Sequence, residues 1–482
     1  MLVSELQPGE VFQYFNIISS VPRGSGNTAR IARYCMEFAE EQGLEAIKDE
    51  YNNVVIYAPA TVGYEDREPV ILQGHLDMVC EKEPGLVLDM EHEAITVRTD
   101  GKKVWAKGTT LGGDDGIAVA YILALLASDD IPHPPIEAVF TSDEETGMFG
   151  ARGLDFSKLN SRRLINIDSE EEGFICVSCA GGVRACCRIP FEQQKPSPTE
   201  YCAYEVSVCG LQGGHSGMEI DKNRENAFLV LGSLLTDIEK KSSLCLADIS
   251  GGGKDNVIPK SASAVFCVPK DEANIAEQEF DRYKRLICDE LSIVEPGLTI
   301  KLEKTTLPEA VMDRIGSRRV IYVLSHIPNG VERMNTEVAG LVQCSLNLGI
   351  VNVHADHVTF RTLIRSNTTD GKEILLDKVR DFIEFAGGDV VTESDYPAWE
   401  YRRNSALREL MIDEFEKQYG RKPEVTAIHA GLECGIFAGK VPDMDMVSIG
   451  PDMTGVHTPE EMLDVASVGR TWEYIKGVLS RM

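Results

Sequence analysis

From the start of the chain to about residue 183, apolar side chains recur with two periods in turn. After Asn27, a residue suited to capping a helix, Ile31, Cys35 and Phe38 fall on one helical face. Short β-branched runs follow at 53–57, 70–72, 136–141 and 164–167. Between the second and third of these, positions 114–128 read as a helix that is apolar almost throughout and therefore buried. It is too short to cross a bilayer, which needs about 20 apolar residues. Strands alternating with helices predict an α/β fold with a mostly parallel central sheet and helices on both faces.

Near residue 184 the pattern changes. Longer alternating strands at 202–209 and 262–267 are accompanied by long charged helices at 271–289 and 371–386. Strands and helices in this arrangement predict an α+β domain. A weak repeat runs through it. Asn256-Val-Ile-Pro, a strand and helix 271–289 are echoed by the strand His357–Arg365 and helix 371–386. Beyond Tyr396-Pro-Ala-Trp399, helix 404–419 and short apolar strands at 425–429 and 445–449 restore the first pattern. The expected organisation is one α/β domain, 1–183 plus 395–482, interrupted by an inserted α+β domain, 184–394. The insert is two-lobed if the repeat is genuine.

Lys and Arg number 48 against 77 Asp and Glu, a net charge of −29. A phosphate backbone calls for clustered cations, so this balance argues against a nucleic-acid partner. The Met1 end has no basic patch followed by an apolar run and a cleavage site, so neither a secretory leader nor a membrane partner is expected. Thirteen cysteines, an odd number, then read as reduced thiols in a cytoplasmic protein. Cys176-Val-Ser-Cys179 has half the spacing of a zinc ribbon. Its nearest partners, Cys186 and Cys187, are adjacent, so these are read as core cysteines.

Four of the nine histidines sit beside glycine in compact motifs containing His75, His215, His429 and His457. In Gly74-His75-Leu-Asp77, positions two apart on a strand share a face. Asp77 can then orient His75, although the pair alone reads more readily as a surface ion pair. Asp114 and Asp115 stand where a helix begins and by themselves suit capping. Glu144 and Glu145 follow an apolar strand, as a solvated loop also would; adjacent carboxylates repel unless a cation lies between them. Asp168 repeats the theme after the strand at 164–167. In open α/β sheets ligands bind beyond the carboxyl ends of strands, and three acidic clusters with His75 converging there favour a metal centre.

Taken together and in order, these motifs resemble the di-zinc aminoacylase and carnosinase-type metallopeptidases. The resemblance runs nearly end to end. It is carried by Gly-His75-Leu-Asp77-Met, Thr-Leu-Gly-Gly-Asp114, Asp-Glu144-Glu145-Thr-Gly, Leu-Ile-Asn-Ile-Asp168, Gly-Gly-His215-Ser-Gly, His429-Ala-Gly-Leu-Glu433-Cys-Gly and Gly-Val-His457. It implies hydrolysis of dipeptides, of the Xaa-His type among them, with two zinc ions per chain that cobalt or manganese can replace. His75, Asp114 and Asp168 would hold one ion. Asp114, Glu145 and His457 would hold the other. Glu144 would be the general base, and His215 in the inserted lid a catalytic donor. Asn256 and Arg365 would contact substrate, and Glu433 would meet its ammonium group or serve structure. One departure is Asp115, where relatives often carry Asn; it implies one further negative charge at the site. Partners would be a small peptide substrate and, at most, a second copy of the chain, as monomer or homodimer. An acyl-amino-acid deacylase or tripeptide aminopeptidase shares this chemistry. A metal-binding relative without catalysis is the alternative of another class, and Glu144 argues against it.

Overall fold

The computed structural model describes residues 2–336, 338 and 340–482. The chain forms two compact units: Met1–Cys179 with Trp399–Ala427 and Leu432–Met482, and Ala180–Ala398 with Ile428–Gly431.

The first unit is built on an eight-stranded sheet. Its strands run in the order Glu45–Lys48, Val54–Ala58, Ile136–Thr141, Val70–His75, Arg163–Asn166, Asp445–Ser448, Phe174–Cys179 and Glu424–Ile428. The pairings among the third to sixth strands are parallel, and antiparallel strands flank them. Val70–His75 and Ile136–Thr141 are buried at every position, as strands covered by helices on both faces must be. Helix Gly113–Leu126 is likewise buried throughout and packs on Val70–His75. That approach needs Gly74: a Cβ there would come within 2.6 Å of Ala118 Cβ and Asp115 Oδ2. Tyr121 of the same helix stacks on Trp472 of the C-terminal helix Val465–Arg481, with centroids 6.0 Å apart. Because the central strands are parallel, the ends of Val70–His75, Ile136–Thr141 and Arg163–Asn166 open on one edge of the sheet.

One local reading differs, and the reading of the cysteines holds. The helix Ala29–Glu41 is preceded by Thr28, and Asn27 does not cap it; the Asn27 amide donates to the Glu91 carbonyl. Cys176 and Cys179 are both buried in one strand, three positions apart and thus on opposite faces. All thirteen cysteines are free thiols.

The second unit contains the repeat in a definite form. Tyr201–Cys209, helix Ala227–Glu239, Cys245–Gly251, Ala262–Pro269, helix Ala273–Glu290 and Thr299–Thr305 make one half. The neighbour order of its strands is second, third, first, fourth. Gly181–Pro190, helix Arg314–His326, Val342–Val353, His357–Ser366, helix Thr369–Phe385 and Asp389–Tyr396 repeat that order, with Gly330–Met334 added at the edge. Each half is a ferredoxin-like split βαβ arrangement. The strand–helix pairs that echo each other in sequence occupy equivalent places. Apolar side chains from both halves, among them Leu231, Phe266, Phe360 and Val379, belong to one continuous core.

Candidate functional site

In the first unit, His75 closes its strand with the imidazole buried. Its Nε2 lies 2.9 Å from Asp114 Oδ1 and 3.5 Å from Asp168 Oδ1. His457, half-exposed, places Nε2 3.1 Å from Asp114 Oδ2 and 2.9 Å from Glu145 Oε1. The two oxygens of Asp114 therefore face two different histidines. Asp77 lies behind His75, its Oδ1 3.4 Å from Nδ1. The Asp77 carboxylate also accepts the backbone N–H groups of Glu144 at 3.0 Å and Glu145 at 3.3 Å, and the Ser25 hydroxyl at 2.8 Å. One carboxylate thus stands beside the imidazole and accepts from the loop bearing both glutamates.

Other buried groups hold the loops in place. The Arg23 guanidinium donates to the carbonyls of Leu76 at 2.9 Å, Asp77 at 2.8 Å and Gly112 at 2.5 Å. It joins the turn after His75 to the turn before Asp114. Glu461 accepts the N–H groups of Leu111, Gly112 and Gly113 at 2.7, 3.1 and 2.7 Å. Four residues after His457, it links that loop to the same turn. His457 itself adopts φ 63°, a left-handed conformation that non-glycine residues seldom hold without reason.

The electrostatics show a surplus of negative charge. Burial works to lower the His75 pKa, but hydrogen bonds to Asp114, Asp168 and Asp77 win and hold it well above the usual imidazole value. His457 is pushed up to about 11 by its bonds to Asp114 and Glu145. Burial, with Asp168, Glu433 and Glu145 nearby, holds the Glu144 carboxyl well above the usual range despite the opposing influence of His75. Asp115 is fully buried, its Oδ2 accepts the His75 backbone N–H at 3.0 Å, and burial holds its carboxyl well above the usual range.

These residues fit a pair of divalent cations. Two imidazole nitrogens and three carboxylates, one of them shared, are nitrogen and oxygen donors of the kind zinc takes. His75, Asp114 and Glu145 each offer a donor atom, all within 4.8 Å of one another. Donors on a tetrahedral zinc stand about 3.3 Å apart, and the contacts above span 2.9 to 3.5 Å. His75, Asp115 and Asp168 form a second such group. The bond from His75 N engages Asp115, which leaves Asp114 as the carboxylate at the imidazole tip.

The second unit carries a separate polar cluster. His215 Nδ1 accepts the backbone N–H groups of Gly217 at 3.2 Å and Met218 at 3.0 Å. An acceptor at Nδ1 leaves the neutral ring's proton on Nε2, which is then a donor. Burial and the nearby Arg365 lower the His215 pKa, favouring this neutral form. Gly214 and His215 pair with Ile258 and Val257, and the Asn256 carbonyl accepts the Ser216 N–H at 2.9 Å. Arg365 is buried, donates to the Tyr396 hydroxyl at 3.1 Å, and has no partner at Nε. Among the described residues no carboxylate pairs with it. His429 is buried between the Ser345 hydroxyl at Nε2, 2.7 Å, and the Asn367 side-chain oxygen at Nδ1, 3.0 Å. Burial and Arg365 push its pKa down to about 3.

The structure thus brings His75, Asp77, Asp114, Glu144, Glu145, Asp168 and His457 together in one unit. His215, Asn256 and Arg365 belong to the other. Glu433 has no exposed surface; its Oε2 accepts from Gln73 Nε2 and Thr141 Oγ1, both at 2.6 Å. Arg23, Glu461, Tyr396 and Gln73 were not singled out in the sequence. Glu461 alone left a trace, as an acidic residue shortly after His457.

A sequence profile of peptidase family M20/M25/M40 matches residues 71–481. The cytosol non-specific dipeptidase of Escherichia coli strain K12 is 35% identical over 480 residues, covering 100% of this chain and 99% of the relative. The crystal structure of aminoacylhistidine dipeptidase from Vibrio alginolyticus superposes with a TM-score of 0.92 at 35% identity, covering 100% of this chain and 98% of that one. The aminopeptidase PepT from Bacillus cereus shares the fold, with a TM-score of 0.59 at 15% identity over 98% of both chains.

Proposed function

The chain belongs to peptidase family M20/M25/M40 and is a metal-dependent peptide-bond hydrolase, and from that premise we propose that it cleaves unblocked dipeptides, Xaa-His among them, with two zinc ions. The observation that carries the reading is Asp114, whose oxygens face His75 on one side and His457 on the other. His75, Asp114 and Asp168 would hold one ion, and Asp114, Glu145 and His457 the second. Two divalent ions there supply the positive charge that acidifies a water molecule and polarises a peptide carbonyl.

The protein's own groups do the rest. Glu144 takes the proton of the attacking water and returns it to the departing amine. A carboxyl already raised by partial burial and by neighbouring carboxylates is a better proton carrier than an ordinary glutamate. Asp77 keeps Glu144 in place through its backbone N–H. His215 offers Nε2–H to the negative charge that grows on the carbonyl oxygen. Arg365, buried without a carboxylate partner, takes the carboxylate of the departing residue. The E. coli relative, named for the cytosol, supports a cytoplasmic location.

The deciding experiment is hydrolysis of a panel by metal-stripped and zinc-restored protein. The panel contains dipeptides including β-alanyl-histidine, a tripeptide and an N-acetyl amino acid. Dipeptides should be cleaved fastest, and only after zinc is restored. Preference for the acetylated substrate or the tripeptide would replace this reading.

A further inference from the structure

Beneath the metal ligands lies a buried polar chain that the proposed mechanism does not use. Gln73 precedes His75 by two positions, and Asn166 precedes Asp168 by two. Gln73 and Asn166 are opposite each other in the parallel register, and so are His75 and Thr141. The Asn166 amide donates to Gln73 Oε1 at 2.6 Å. The Gln73 amide donates to Glu433 Oε2 at 2.6 Å and to Thr141 Oγ1 at 3.2 Å. The Thr141 hydroxyl donates to the same Glu433 oxygen at 2.6 Å. All four residues are buried with no measurable exposure, and Glu433 stands at the head of helix Glu433–Lys440.

We propose that Glu433 is a positioning residue: it ties together the strands that lead to His75, Glu144–Glu145 and Asp168 and so sets the spacing of the metal ligands. The inference rests on the two-metal reading above. Sheet hydrogen bonds fix strand separation but leave the strand ends free to splay. A single carboxylate oxygen that accepts from two strands, and reaches a third through Gln73, removes that freedom at the positions next to the ligands. Glu433 has no exposed surface on which to meet a substrate ammonium, so this structural role is the one proposed.

The test compares Glu433→Leu, Glu433→Gln and Thr141→Val with the wild type in zinc-competition titrations of metal-free protein, alongside far-UV circular dichroism and kinetics. Glu433→Leu should weaken zinc binding about 10- to 100-fold with the fold retained. Glu433→Gln, whose amide oxygen can accept both bonds, should restore most of that affinity. Thr141→Val, which removes one donor at similar volume, should fall between. Wild-type zinc affinity in Glu433→Leu overturns the proposal. So does a Glu433→Gln variant that binds zinc normally but raises KM only for peptides with a free ammonium. If Glu433→Leu does not fold, Thr141→Val decides, and wild-type zinc affinity there is equally fatal. A wild-type chain that takes up no divalent ion defeats the metal reading itself, whereas a difference confined to the variants concerns Glu433 alone.

Discussion

His457 lies 343 residues beyond Asp114 in the chain, yet its Nε2 stands 3.1 Å from Asp114 Oδ2, while Oδ1 of the same carboxylate is 2.9 Å from His75. The carboxylate is held at this branching point from behind. Arg23 and Glu461 fix the turn before it, one through a carbonyl and the other through three backbone N–H groups.

Metal content follows from that geometry. Protein purified without chelator should contain close to two divalent ions per chain by elemental analysis. His457→Ala should retain about one, because His75, Asp114 and Asp168 remain. Asp114→Ala should lose most of both. Equal occupancy in the two variants would show that Asp114 is not shared.

Glu144 and Glu145 are adjacent but should separate cleanly. Glu144→Gln should keep both ions and lose turnover by about 100- to 10,000-fold, the range expected for a general base. Glu145→Gln should lose occupancy at the ion shared with His457. Near-normal turnover in Glu144→Gln would assign the base elsewhere.

Arg365 should measure the departing end of the substrate. Free dipeptides should be cleaved far faster than the corresponding dipeptide amides, and Arg365→Lys, which lacks the planar two-pronged donor, should narrow the difference. Equal wild-type rates on acids and amides would remove Arg365 from that role.

His215 Nδ1 accepts two backbone N–H groups, and the proposed role is that of a neutral donor. His215→Gln, which retains an N–H donor, should keep more kcat than His215→Ala, with both variants folded. The wild-type ¹⁵N spectrum should show Nδ1 unprotonated and Nε2 protonated near neutral pH. A protonated Nδ1 would contradict the hydrogen bonds from Gly217 and Met218.

His429 predicts an acid-dependent loss of stability. Its folded-state pKa is about 3, against 6.5 for an ordinary histidine. Between these values the unfolded chain binds the extra proton. The contribution is therefore fully present above about pH 6.5 and is lost as pH falls towards 3. Thermal unfolding of wild type and His429→Gln at pH 7.5 and pH 5 should show the gap between them shrinking at the lower pH. A constant gap would mean that His429 is not buried as the neutral ring.

Much of this molecule is legible in the chain itself, and for local reasons. The alternation of β-branched runs with helical periods specifies the α/β unit, because a strand covered on both faces can contain little but apolar side chains. The echo of strand and helix at 262–290 and 357–385 marks a true structural repeat, since each copy must bury the same faces. The candidate ligand residues stand out in the sequence because carboxylates and histidines at strand ends have little other use in such density. The remainder depends on contacts that no local pattern encodes. Asn27 looks like a cap until Glu91 takes its amide. Ile428–Gly431 reads as part of the last strands, but it groups with the second unit, where Ser345 and Asn367 enclose His429. Arg23, Glu461 and Gln73 gain their roles only from partners far along the chain. Asp115 meets the His75 backbone N–H, and Glu433 is enclosed by Gln73 and Thr141, because burial and hydrogen-bond partners are properties of the packed fold, not of the residue type.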